Sequence, residues 1–325
     1  MGKLYKKVRH DSLGGIMAMG ILIPPGKAGE GRRHMSLEAS DVRSEGRYVH
    51  VNGIDIHYVE AGEGEPLLLL NNAMVSTNPI WVGHPFAYAS YMGTFADHFR
   101  VIVPDTRGSG RSVHYGGSIP YALLADDVVA LIDALNLDQP LICGFSDGGQ
   151  TATIVGIRNP ESVRAIVNYA GYDLFNPQAP SMAMARQMLG GSPDATEASP
   201  EAIAHISEQS EEMRAMFEMM RSDHDSAQGP GHWKTLIAQT FDRITQSPGY
   251  TFEDLRAITA PTLILTGDRD NFCSVEEGVA SYRMLQQGEL AVLPNHGHFI
   301  SPSVVQVTIE FLERQLARYS SPASS

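Results

Sequence analysis

Short apolar runs with little polar interruption set the tightest limit on what this chain can fold into. Pro66–Leu70 is the clearest, and Val101–Val103, Pro140–Cys143 and Pro261–Thr266 repeat the pattern. A strand that is apolar at successive positions carries apolar side chains on both faces, so both faces must be covered. Between these runs lie segments with helical spacing. Tyr121–Leu137 places Leu124, Val128, Leu131, Ile132 and Leu135 on one face, and Gly149–Arg158, Val275–Leu285 and Val304–Tyr319 read as further helices. Ser274 is a candidate N-cap for the third of these four.

Three other features complete the pattern. Arg47–Val51 and Ile54–Val59 alternate apolar and polar residues around Asn52-Gly53, as a hairpin does. Val163–Tyr169 and Leu290–Leu293 add two more strands. The expectation is an α/β fold: a mostly parallel sheet of eight strands with helices on both faces.

One stretch breaks the rhythm. Between about Phe175 and Tyr250 no strand is evident, while Met213, Met216, Phe217 and Met220 fall on one helical face. The methionines Met182, Met184, Met188, Met213, Met216, Met219 and Met220 are half of the chain's 14. Residues 175–250 therefore read as a helical cap inserted after the sixth strand, with 45–174 and 251–320 forming the core. Flexible thioethers suit both an adaptable apolar pocket and simple packing of the cap.

Residues 1–44 read as a leader or flexible extension. Lys3, Lys6, Lys7 and Arg9 precede a short apolar run, Gly15–Ile23, so residues 1–28 have the outline of a signal peptide. The run is short and Pro24-Pro25 follow it at once. The reading adopted is an unstructured leader, or an extension upstream of Met35, in a cytoplasmic protein, with secretion as the alternative. No segment approaches the ~20 apolar residues of a membrane helix. The net charge of −13 argues against a nucleic-acid partner, which needs clustered Lys and Arg. Two cysteines, Cys143 and Cys273, make no disulfide framework and read as buried thiols. Neither a metal-ligand cluster nor a G-x-G-x-x-G fingerprint is present, so no metal or other cofactor is expected. Oligomeric state is left open.

The chemistry concentrates at three strand ends. Gly144-Phe145-Ser146-Asp147-Gly148 lies between an apolar strand and a helix, in the G-x-S-x-G pattern that sets a serine in a sharp turn. A serine hydroxyl needs a base to take its proton and a third group to orient that base. Leu263–Asp270 ends a strand in Asp268 and Asp270, and Leu293–His298 ends another in His296 and His298. The chain order is therefore serine, aspartate, histidine.

That order and those contexts are similar to the α/β-hydrolase superfamily, from about Arg47 to Leu316, in its cap-bearing branch of esterases, lactonases and C–C bond hydrolases. The resemblance implies Ser146 as nucleophile. It selects Asp270, three residues after a glycine, as acid, and His298, in a Gly-His pair, as base. Asp268 and His296 then serve the loops, although an exchange within either pair stays open. Asp105–Gly110 resembles the family's D-x-R-G-x-G turn and is read as structural.

An oxyanion hole would take the backbone N–H of Asp147 and one from the loop after the third strand. Relatives commonly carry His-Gly there, whereas this chain has Asn71-Asn72-Ala73-Met74. Alignment on the strand puts Ala73 at the donor position, with Met74 as the alternative. The stretch Gly144–Gly149 is also similar to the valacyclovir-hydrolase-like group, where an aspartate after the serine is associated with a substrate ammonium. The plainer reading points the Asp147 side chain to solvent or to the helix N-terminus. Met74, Asp147, Met213 and Phe217 are the candidate substrate contacts. The implied function is hydrolysis of a small, apolar carboxylic ester or lactone through an acyl-enzyme. C–C bond hydrolysis by the same three residues and a hydrolase-fold receptor are the alternatives.

Overall fold

A computed structural model describes residues 46–320, apart from 73, 115, 172–175, 177, 179, 191–195, 209 and 246–248. The leader and signal-peptide readings therefore lie outside the described residues. Eight strands form one sheet: β1 (Arg47–Val51), β2 (Ile54–Ala61), β3 (Pro66–Leu70), β4 (Arg100–Pro104), β5 (Leu141–Phe145), β6 (Ala165–Tyr169), β7 (Thr262–Gly267) and β8 (Gly288–Leu293). Their spatial order is β1-β2-β4-β3-β5-β6-β7-β8. β2 pairs antiparallel with β1 and β4, and every other pair is parallel. The hairpin turn places Asn52 at φ 46° and Gly53 at φ 78°, the left-handed pair that a tight hairpin requires.

The apolar runs occupy the middle of the sheet. Leu67 pairs with Val101 on one side and Leu141 on the other, and Leu141 pairs in turn with Ala165. All five residues of β5 and of β6 are buried, which is why neither strand alternates. Two helical groups cover the sheet. α1 (Met92–Ala96) and α9 (Pro302–Ser320) pack together, and α2 (Tyr121–Ala134), α3 (Asp147–Arg158) and α8 (Val275–Met284) form the other group. Ser274 caps α8 in a reciprocal pair with Glu277, as its position predicts. Cys143 and Cys273 are both buried free thiols, and burial pushes Cys143 up to about 12.

Four helices lie between β6 and β7: α4 (Pro180–Met188), α5 (Pro200–Ser207), α6 (Glu211–Gln228) and α7 (His232–Thr245). They share a second hydrophobic cluster with the loop after β3, in which Met188, Phe217, Met220, Trp233 and Phe241 meet Val75 and Trp81. Met182 instead joins the main core. For these buried methionines packing is the observed role.

Buried polar contacts hold the loops at the carboxyl end of the sheet. Arg107 makes a two-pronged pair with Asp127, at 2.7 Å through both Nε and Nη2, and Nη2 also donates to the Asn52 carbonyl. Asp105 accepts the amides of Thr77 and Arg111 at 2.6 and 2.9 Å and faces His57 Nδ1 at 3.0 Å. The D-x-R-G-x-G turn is thus a structural knot, as its reading predicts. Arg107→Met would strand the Asp127 carboxylate in the interior. The expected loss is about 3–5 kcal/mol of stability, read as a lower urea midpoint with an unchanged slope. A midpoint close to wild type would contradict the assignment.

Candidate active site

Ser146 occupies the bend between β5 and α3 at φ 55° and ψ −119°. A side chain in such a conformation costs about 1–3 kcal/mol and survives only where its surroundings impose it. Here its N–H donates to the Tyr169 carbonyl at 2.8 Å, and its carbonyl accepts the Gln150 N–H at 3.0 Å. The flanking glycines are set by space. A Cβ on Gly144 would lie 2.1 Å from the Gly148 carbonyl oxygen, and one on Gly148 would lie 2.1 Å from that of Leu70. The turn closes because no side chain stands between these backbones.

His298 comes to this serine from the loop after β8. Its Nε2 lies 3.0 Å from Ser146 Oγ, and its Nδ1 lies 2.8 Å from Asp270 Oδ2. The ring sits between Phe145 and Phe272, at centroid distances of 4.8 and 4.9 Å. The second Asp270 oxygen accepts the amides of Phe272 and Cys273, at 2.8 and 3.0 Å. Burial alone would raise the Asp270 pKa. The facing imidazole and the bonds from His298, Cys273 and Phe272 outweigh it and hold the carboxyl below its ordinary value. A carboxylate fixed on Nδ1 leaves Nε2 as the nitrogen that faces the hydroxyl.

Their neighbours serve the loops. Asp268 accepts the backbone N–H of His296 at 3.2 Å. The His296 ring spans Ser301 Oγ at 2.7 Å and the Gly297 carbonyl at 2.9 Å. The structure brings Ser146, Asp270 and His298 into one line and leaves Asp268 and His296 outside it.

The residues considered for oxyanion and substrate contacts fall differently. Asp147 opens α3, where an N–H has no partner within the helix. Its side chain faces neither solvent nor an open cation site. Arg243 of α7 donates to it through Nε at 2.9 Å and Nη2 at 3.2 Å, and Tyr121 Oη donates at 2.7 Å. This corrects the readings of that carboxylate as facing solvent or holding a substrate ammonium, because the chain's own guanidinium fills the place of a cation, while its place in the first turn of α3 is as expected. Ala73 lies outside the described residues. The Met74 N–H donates to Asn72 Oδ1 at 3.0 Å. The Phe217 ring packs edge-on against Trp233 at 6.0 Å within the second cluster, and the Met213 side chain lies outside the description.

Several contributors were missed from sequence. Asp223, on α6, accepts Ser76 Oγ, Asn78 Nδ2 and Trp81 Nε1 at 2.6, 2.9 and 2.7 Å. His224 accepts the Gly110 N–H at 3.0 Å through Nδ1, and its Nε2 faces the Met74 carbonyl at 3.2 Å. The inserted helices thus grip the loop after β3 on one side and the start of α3 on the other. A signal existed: Asp223 and His224 continue the Met213–Met216–Phe217–Met220 stripe, and Arg243 lies seven residues beyond Leu236. Ionisable residues on an apolar stripe are candidates for buried pairs.

Three histidines make the stability of the fold depend on pH. Burial holds the imidazoles of His84, His232 and His296 below the ordinary 6.5. As the pH falls through that value, the unfolded chain takes up protons that the folded chain refuses. Their neutral burial therefore costs nothing above about pH 6.5, and stability falls below it until the lower folded values are also passed. The urea midpoint should be lower at about pH 5.5 than at about pH 7.5. A higher midpoint at the acid pH would contradict this.

Comparison with known proteins agrees with the architecture. The model of the alpha/beta hydrolase fold family matches residues 83–302. The chain is 26% identical over 265 residues to the non-heme chloroperoxidase CPO-A1 of Kitasatospora aureofaciens, covering 77% of this chain and 90% of that protein. It is 28% identical over 240 residues to 3-oxoadipate enol-lactonase 2 of Acinetobacter baylyi, covering 69% and 79%. A solved structure of Est816, described as an N-acyl homoserine lactone degrading enzyme, superposes with a TM-score of 0.60 at 26% identity, covering 82% of this chain and 99% of that one. With the matched segment spanning more than half of its length, the chain belongs to the α/β-hydrolase fold family and is a hydrolase.

Proposed function

We propose that this hydrolase cleaves a small, apolar carboxylic ester or lactone through an acyl-enzyme on Ser146. The observation that carries the reading is the single imidazole, His298, hydrogen-bonded to Ser146 Oγ at 3.0 Å and to Asp270 at 2.8 Å. In this reading His298 Nε2 takes the hydroxyl proton as Oγ attacks the carbonyl carbon, and Asp270 steadies the imidazolium through Nδ1–H. The tetrahedral oxyanion rests on the backbone N–H of Asp147 and, in the alignment, that of Ala73. His298 gives its proton to the leaving alkoxide, and the acyl group stays on Oγ. A water, deprotonated by the same nitrogen, then releases the carboxylic acid and restores the serine. In a lactone the leaving oxygen remains tethered, and the product is a hydroxy acid.

The likenesses to an enol-lactonase and to an N-acyl homoserine lactone degrading enzyme support the lactone side of this class. The buried, neutralised Asp147–Arg243 pair supports an uncharged substrate, since neither partner is left over to hold an ion.

A p-nitrophenyl ester series from acetate to dodecanoate, assayed beside Ser146→Ala, tests the reading. Steady turnover is expected in the wild type, and a fall of at least about 10⁴-fold is expected in the variant, the scale on which losing a nucleophile acts. Folded wild-type protein that turns over none of these esters, or a variant as active as wild type, would sink it. The first result would favour C–C bond hydrolysis or a receptor.

A further inference from the structure

Tyr169 ends β6 in the middle of the site, and the acyl-enzyme chemistry gives it no part. Its ring is fully buried, so its hydroxyl must find a partner or stand desolvated at a cost. The partners it finds are the two carbonyls on either side of His298: Phe299 O at 2.6 Å and Gly297 O at 3.2 Å. The same oxygen lies 3.3 Å from His296 Nδ1. Burial raises this phenol's pKa, so it stays a proton donor throughout the range in which a histidine titrates.

The rest of the residue points the same way. Its carbonyl accepts the Ser146 N–H at 2.8 Å. Its ring stacks on Phe145 at 5.0 Å and 23°, and Phe145 in turn lies 4.8 Å from the His298 ring. The nucleophile's backbone rests on the carbonyl of this residue, while the aromatic wall of the base and the peptide that carries the base rest on its side chain. A phenylalanine would fill the same volume and keep the stack, so the hydroxyl's contribution is separable from packing.

We propose that Tyr169 is a positioning residue for His298, its hydroxyl fixing the 297–299 backbone so that Nε2 stays within reach of Ser146. The inference rests on the reading of His298 as the base. Tyr88 supplies the control. It is also a fully buried tyrosine, with its hydroxyl 3.1 Å from Cys143 Sγ, and its hydroxyl has no bond to the base loop. Tyr169→Phe and Tyr88→Phe each remove one buried hydroxyl and should lower Tm by a similar few degrees.

Only Tyr169→Phe should lower kcat, by about tenfold, the scale on which sub-ångström misplacement acts, with KM within about twofold of wild type. A readout free of turnover accompanies it. The far-downfield NMR signal of the His298 Nδ1 proton held by Asp270, identified by its loss in Asp270→Asn, should broaden or move in Tyr169→Phe and stay in place in Tyr88→Phe. If wild type hydrolyses no ester, the functional reading fails and the proton signal alone decides the positioning. An unmoved signal in Tyr169→Phe, an unchanged kcat in an active enzyme, or equal effects in both variants would overturn the proposal.

Discussion

Everything at the carboxyl end of this sheet depends on backbone meeting backbone at the bend after β5. Ser146 stands in a left-handed conformation because Gly144 closes on Gly148 and Gly148 closes on Leu70, with no Cβ between them. That contact ties the start of α3 to the ends of β3 and β5 together. It sets the direction of the serine hydroxyl and the position of the Asp147 amide at the same time. A similar device serves the acid: a Cβ on Gly267, which ends β7, would lie 2.0 Å from the His296 carbonyl oxygen. The loop carrying the histidines can therefore settle against the loop carrying Asp270.

The inserted helices are part of this arrangement. Arg243 and Asp147 neutralise each other in the interior, with the carboxylate also taking the Tyr121 hydroxyl. A buried ion pair of this kind offers little net stability over an apolar replacement, but breaking one half of it is costly. Its consequence is geometric, in that α7 and α3 stay in one register. Asp223 and His224 do the same between α6 and the loop after β3. Five donors or acceptors of that loop and the Asp105–Gly110 turn end on two adjacent side chains of the insertion.

Much of the fold was legible because strands buried on both faces cannot alternate. Pro66–Leu70 announces β3 with its exact bounds, and the hairpin announces itself through Asn52-Gly53. The ends of β5 and β8 were less clear. Gly144 and Phe145 look like part of a turn yet complete β5, and Gly288-Glu289 extend β8 beyond its apolar core. The Ser146, Asp270 and His298 line was legible through chain order and strand-end context. Asp147 shows where such reading stops. Its partner, Arg243, lies 96 residues away, and no local pattern says which cation a carboxylate will meet. Tyr169 was hidden for the opposite reason, since an aromatic at a strand end looks like ordinary core.

The central claim is that an acyl group passes through Ser146. Brief reaction with p-nitrophenyl trimethylacetate, whose hindered acyl group should leave slowly, followed by acid quench and peptide mapping by mass spectrometry, tests it most directly. The account predicts one trimethylacetyl group per chain, carried on the peptide containing Ser146 and absent from Ser146→Ala. Release of p-nitrophenol at a steady rate with no acylated Ser146, or with the acyl group on another residue, would contradict it.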